Sequence, residues 1–159
     1  MSQRSVDEDF AAEAVRIALD NAAAGQLPFG ALVVKDGEVL ATGVNSAVAD
    51  HDPTAHAELA AVRAACRRLQ SLWLNGATLV SSCEPCAMCH AAALITGVER
   101  ILYAAHKEEV PDLGVPFPRT VAEMGDVWRS VGTDRIEHVP TPGSGGPFAR
   151  FAAASKGLR

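Results

Sequence analysis

No stretch of this sequence is apolar for long enough to cross a bilayer, which takes about 20 residues in a helix. Runs such as residues 91–95 stop far short. A basic leader is not expected either. The first ten residues carry Asp7, Glu8 and Asp9, the wrong charge for the start of a secretory signal. Positive charge is in deficit throughout, with 14 Lys and Arg against 19 Asp and Glu and a formal net charge of −5. That balance argues against a broad phosphate-binding surface and so against a nucleic-acid partner. There is no internal repeat, and no low-complexity tract beyond a general richness in alanine. Cysteine is sparse and unevenly spread. Cys83, Cys86 and Cys89 are crowded together while Cys66 stands apart. This is the pattern of a metal site in a reducing compartment rather than a disulfide framework. The expected location is cytoplasmic, with no membrane partner.

What is present reads as one globular domain spanning 1–159. Hydrophobic residues make up 48% of the chain and charged residues 21%, enough for a real core and too short a chain for two ordinary domains. From 7 to 24, Phe10, Ala14, Val15, Ile17 and Ala18 recur at helical spacing, with Asp7 placed to cap the start and Gly25 the end. Residues 29–34 and 38–42 are strand-like and joined through Asp36-Gly37, a hairpin signal. Residues 43–53 read as loop. A second helix is expected over 55–69, a short strand over 77–82, a third helix from near Cys86 to near Gly97, and a strand over 98–104. Strands alternating with helices after a hairpin imply an α/β layered structure with a mixed sheet. Beyond it, 110–119 is extended or looped around Pro111, Pro116 and Pro118. Helices are expected over 120–129 and 148–155, with a Pro/Gly/Ser-rich loop between at 140–147.

Two short motifs carry chemistry. His56-Ala57-Glu58 and Pro85-Cys86-Ala87-Met88-Cys89 together have the H-x-E…P-C-x-x-C form of a zinc site that deaminates nucleobases. One imidazole and two thiolates give Zn2+ three protein ligands and leave the fourth tetrahedral position for water, as a catalytic zinc requires. Glu58 is the acid/base that such a water needs, and it must not itself be a ligand. Both motifs fall at expected helix starts, where free N–H groups favour a thiolate at Cys86. Cys86 and Cys89, three residues apart, share a helical face.

Around those motifs, Pro28-Phe29-Gly30-Ala31, Gly43-Val44-Asn45, Asp52-Pro53-Thr54-Ala55-His56-Ala57-Glu58 and Ser82-Cys83-Glu84-Pro85-Cys86-Ala87-Met88-Cys89 resemble the cytidine deaminase superfamily. More narrowly, they resemble its guanine deaminase and tRNA-adenosine deaminase branches. The resemblance implies a three-layer α/β/α sandwich around a five-stranded mixed sheet, and a homodimer. It implies that residues 106–159 contribute to the pocket or the dimer interface. It also implies that the Asn45 side chain bonds the substrate ring, that the Ala57 backbone meets a ring edge or carbonyl, and that Phe29 forms a stacking wall.

Plainer readings stand beside these. Asn45 suits a turn and Phe29 a core position. Cys83 forms a second C-x-x-C with Cys86 and is conceivable as a fourth ligand, which would make the zinc structural. Its place before the helix-opening proline argues against that. His90, next to Cys89, points about 100° away from it on an ideal helix. His51, His106 and His138 have no partner visible in sequence, and Cys66 reads as a small core residue.

For the substrate, a free small heterocycle of guanine type is favoured. The resemblance to the tRNA branch implies a glycine-rich segment after the strand at 98–104 and a basic C-terminal helix, whereas this chain has Glu108-Glu109-Val110-Pro111-Asp112 after that strand and an acidic balance. Departures from the guanine branch, among them Ile95 in place of an aromatic, keep cytosine, isoguanine and aminotriazine rings open. A tRNA adenosine deaminase and a catalytically silent zinc-binding module are the remaining alternatives.

Overall fold

The computed structural model describes residues 3–114, all within the first of two compact units that divide at Met124 and Gly125. Helix α1 spans Gln3–Ala23, strand β1 Gly30–Lys35, β2 Glu38–Val44, a single turn α2 Ala47–Asp50, and α3 Ala57–Leu69. Strand β3 follows at Ala77–Cys83, then α4 at Ala87–Ile95, β4 at Arg100–Ala105 and a 3-10 turn at Lys107–Glu109. The helices expected over 120–129 and 148–155 lie outside the described residues. No helix among the described residues is long and apolar enough to cross a membrane.

The sheet order is β2-β1-β3-β4, with β1 antiparallel to both neighbours and β4 parallel to β3. The sheet is mixed, as expected, but it has four strands among the described residues rather than five. Asp36 and Gly37 close the hairpin with φ of 52° and 79°, the doubly left-handed turn that Asp-Gly readily adopts. The register slips between Val33 and Val34, so that Leu40 is the extra residue on β2. Its carbonyl is picked up at 2.7 Å by the Arg68 guanidinium from α3.

Strand alternation assigns the two faces. Leu32, Val34 and Val80 turn towards α1 and pack with Ala14 and Ile17. Ala31, Val33, Ala77 and Leu79 turn the other way, against Ala57, Ala61, Val62 and Ala65 of α3 and Ala93 of α4. Helices cover both faces, which makes the three-layer sandwich. Leu32, Val33, Leu79 and Val80 are fully buried, so both central strands are covered on both faces.

Two glycines set how closely the helices approach. A Cβ on Gly30 would overlap Ala18 N, Ile17 Cγ2 and Ala14 O of α1. A Cβ on Gly43 would overlap Ala57 O and Ala61 N of α3. Gly43 therefore lets the first turn of α3 lie directly on β2.

Two local expectations differ. Asp7 does not cap α1, which begins four residues earlier. It pairs instead with Arg100 of β4 at 2.6 Å. The segment expected as loop over 43–53 contains the end of β2 and the turn α2, held by a 2.6 Å hydrogen bond from Ser46 Oγ to Asp50 Oδ2.

Candidate active site

His56 and Cys86 are both N-cap residues, His56 of α3 and Cys86 of α4, each with extended backbone. Asp52 prepares the entry to α3. Its Oδ1 accepts from Thr54 N–H at 2.8 Å and from Thr54 Oγ1 at 2.7 Å, a local turn that hands the chain to His56. Buried Pro85 opens α4, and its carbonyl accepts from His90 Nδ1 at 3.1 Å, which occupies that ring away from the cysteines.

The two helix starts meet side by side. Cys86 Sγ lies 3.6 Å from Cys89 Sγ, and each sulfur lies 3.6 Å from His56 Nδ1. A tetrahedral zinc with bonds of about 2.3 Å to sulfur and 2.0–2.1 Å to nitrogen requires S···S of ~3.8 Å and S···N of ~3.6 Å. The donor triangle fits that ion within a few tenths of an ångström, without movement of either helix. The sulfur separation is far too long for a disulfide, and all four cysteines are free.

Within the triangle the electrostatics favour a thiolate at Cys86. Cys86 is pushed down to about 4, chiefly by its hydrogen bond with Cys89 and then by His56. His56 is raised by Cys86, and Cys89 is raised by the shared hydrogen bond and by burial. Cys83 is different. It ends β3 opposite Ala105, outside the triangle, and burial pushes its thiol up to about 11. A fourth thiolate ligand is thus absent from the set.

Glu58 stands next to the triangle but not in it. The side chain is buried, with Oε2 accepting from Cys89 Sγ at 3.5 Å and Oε1 from Ser81 Oγ at 3.0 Å. Burial raises its carboxyl above the usual range, against the opposing pull of Ser81 and His56. A buried carboxyl whose pKa is raised, standing beside a cation site and outside its ligand set, is suited to take and give a proton.

Phe29 and Asn45 lie together at the adjoining strand ends, with Asn45 N–H donating to Phe29 O at 3.2 Å. Asn45 is 3% exposed, and its Oδ1 accepts from Ala47 N–H at 3.1 Å. The amide is thereby oriented with its NH2 group unpartnered among the described residues. Phe29 is half-buried and packs on the α3 side of the core, so one face of its ring serves the core. Ala57, the first residue of α3, is fully buried, and its N–H is one of the donors a helix start leaves free.

Two site residues escaped sequence reasoning. Ser81 escaped because β3 is buried on both faces and shows no alternation. Asn21 of α1 donates to Leu27 O at 2.7 Å and Asn45 O at 2.8 Å, tying the helix to the segments that carry Phe29 and Asn45. A polar residue 7% exposed within an otherwise apolar stripe is the signal it left. A second possible cation group, Glu84, His106 and Glu108, is mostly exposed. Its Glu84 accepts from Lys107 N–H at 3.4 Å, and His106 makes an edge contact with Tyr103.

Comparison with known proteins agrees with this geometry. The cytidine and deoxycytidylate deaminase zinc-binding region matches residues 4–105. Guanine deaminase of Bacillus subtilis is 41% identical over 108 residues, covering 67% of this chain and 69% of that protein. The tRNA-specific adenosine deaminase of Aquifex aeolicus is 42% identical over 81 residues, covering 51% of this chain and 54% of that protein. The crystal structure of the Bacillus subtilis guanine deaminase superposes with a TM-score of 0.78 at 31% identity, over 96% of this chain and 95% of that one. With its donor triangle, its buried carboxylate and a family match over most of its length, the chain belongs to the zinc-dependent cytidine and deoxycytidylate deaminase family.

Proposed function

We propose that this protein hydrolytically deaminates a free amino-substituted nucleobase, guanine or a close ring analogue, with Glu58 as the proton shuttle. The observation that carries the reading is the 3.6 Å triangle of His56, Cys86 and Cys89 with the Glu58 carboxylate beside Cys89 and outside the ligand set. A zinc held there supplies a Lewis-acid position and lowers the pKa of a water to about 7.

The chain's own groups do the rest. Glu58 Oε2 accepts a proton from the attacking water and passes it to a ring nitrogen. The water oxygen bonds to the amino-bearing carbon, the C–N bond breaks, and a second proton carried by Glu58 leaves with ammonia. Asn45 Nδ2 donates to the ring and the Ala57 N–H to a carbonyl or ring edge. Phe29 walls one face of a planar ligand. Burial around Glu58 excludes water and strengthens each of these contacts.

Charge supports a free base over RNA. A net charge of −5 with Glu108 and Glu109 beyond β4 gives little purchase on phosphates. A tRNA adenosine substrate is the second reading, favoured by the equal identity of the Aquifex aeolicus tRNA enzyme. Ammonia release is to be compared on guanine, isoguanine, cytosine, an aminotriazine and an adenosine-containing tRNA stem-loop at one salt concentration. Guanine is expected to be turned over fastest. Preference for the stem-loop would overturn the free-base reading, and preference for cytosine or the triazine would retain the chemistry and discard guanine.

A further inference from the structure

Ser81 lies on β3 opposite Ala31 of β1, on the face that β3 turns towards α3. It is 1% exposed, in a strand otherwise filled with apolar side chains on that face: Ala77 and Leu79 are both fully buried. A hydroxyl costs free energy in such a place unless it is bonded. Its partner is the Glu58 carboxylate, with Oγ to Oε1 at 3.0 Å. The neighbouring Ser82, of opposite parity, accepts from Gly30 N–H at 3.1 Å and does not reach the carboxylate.

The two carboxylate oxygens therefore have different surroundings. Oε1 is bound by a donor fixed to the central sheet, while Oε2 is directed to the Cys89 side of the donor triangle. A carboxylate on an Oγ tether cannot turn freely about its last torsion, because rotation would break the Ser81 hydrogen bond and leave Oε1 buried without a donor. Nor can it swing into the ligand triangle as a fourth donor without the same loss.

We propose that Ser81 is a positioning residue for the deamination reaction: its hydroxyl clamps Glu58 Oε1 to the sheet, so that Oε2 alone serves the proton transfers and the carboxylate is kept out of the metal's ligand set. This rests on the shuttle role proposed above for Glu58. The clamp acts on the transition state more than on ground-state binding, since Ser81 faces the carboxylate rather than the pocket walls formed by Phe29 and Asn45. Losing it lowers kcat and leaves KM nearly unchanged.

The test uses the zinc-loaded full chain as Ser81→Ala, Ser81→Thr and Glu58→Gln beside the unaltered protein. Zinc content, melting temperature, steady-state kinetics on the best base, and the Glu58 carboxylate stretch isolated by infrared difference against Glu58→Gln are measured. In Ser81→Ala, the carboxylate band should shift and kcat should fall roughly 10- to 100-fold, the range for a lost hydrogen bond to a charged group. KM should stay within about twofold, and one zinc per chain should remain. Ser81→Thr should restore both band and rate. An unmoved band in Ser81→Ala, a moved band with kcat retained, or zinc loss that Ser81→Thr does not repair would each overturn the clamp. Should Ser81→Ala fail to fold, a crystal structure of the zinc-loaded unaltered protein decides the matter: an Oγ to Oε1 contact supports the clamp, and its absence removes it. Full activity in Glu58→Gln would instead strike down the shuttle role itself, whatever the band shows about Ser81.

Discussion

Which cysteines can hold a metal depends on where each falls relative to Pro85. Cys83 precedes it and ends a strand, so its thiol belongs to the sheet. Cys86 and Cys89 follow it and converge from one helical turn onto His56. Cys86→Ala and Cys89→Ala should each lose zinc, while Cys83→Ala should retain one zinc per chain, read by elemental analysis after dialysis. Equal loss in all three would make the centre four-coordinate and structural. Asn45 does two things at once. Its Oδ1 closes a turn with Ala47 N–H, worth about 1 kcal/mol, and in the reaction proposed above its NH2 group donates to the ring. Asn45→Ala should therefore lower kcat/KM by about tenfold or more while shifting the melting temperature by only a few degrees. A variant that unfolds without losing specific activity would assign Asn45 to the loop alone.

Among the elements, the approach of α3 to β2 decides whether the histidine and the cysteines meet. Gly43 leaves room for Ala57 O and Ala61 N, and any Cβ there pushes the helix start outward. Gly43→Ala should cost about 1–3 kcal/mol by overpacking and weaken zinc binding with it, seen as a parallel fall in melting temperature and metal affinity. Unchanged zinc affinity in a destabilised Gly43→Ala protein would show that the site tolerates displacement of α3. The long elements were legible because their patterns are local: α3 and α4 in their composition and punctuation, the hairpin in Asp36-Gly37. The misses have non-local causes or none that periodicity can register. Asp7 looks like a cap until Arg100, 93 residues away in sequence, is folded against it. The turn α2 has four residues, too few to show a helical period. Ser81 hides in a strand covered on both faces, where alternation vanishes. The triad was readable because its spacing encodes two helix starts. Which carboxylate oxygen faces the metal depends on a strand pairing that sequence does not display.

For the molecule as a whole, the zinc site joins parts that the sheet alone leaves adjacent. It links the start of α3 to the start of α4 across the end of β3. Metal binding to the folded chain should therefore stabilise it by mass action. Removing zinc with a chelator should lower the melting temperature and abolish ammonia release, and adding zinc back should restore both. A melting temperature indifferent to zinc would separate the metal from the fold.

The central claim is that Glu58 moves protons and does not hold the metal. It is tested most directly by measuring zinc stoichiometry and ammonia release side by side on the unaltered protein and Glu58→Gln, with guanine as substrate. The account predicts one zinc per chain in both and a loss of turnover in Glu58→Gln of at least about 100-fold, the lower range for removing a general acid–base. Zinc lost together with activity would make Glu58 a ligand, and activity retained would show that the proton takes another route.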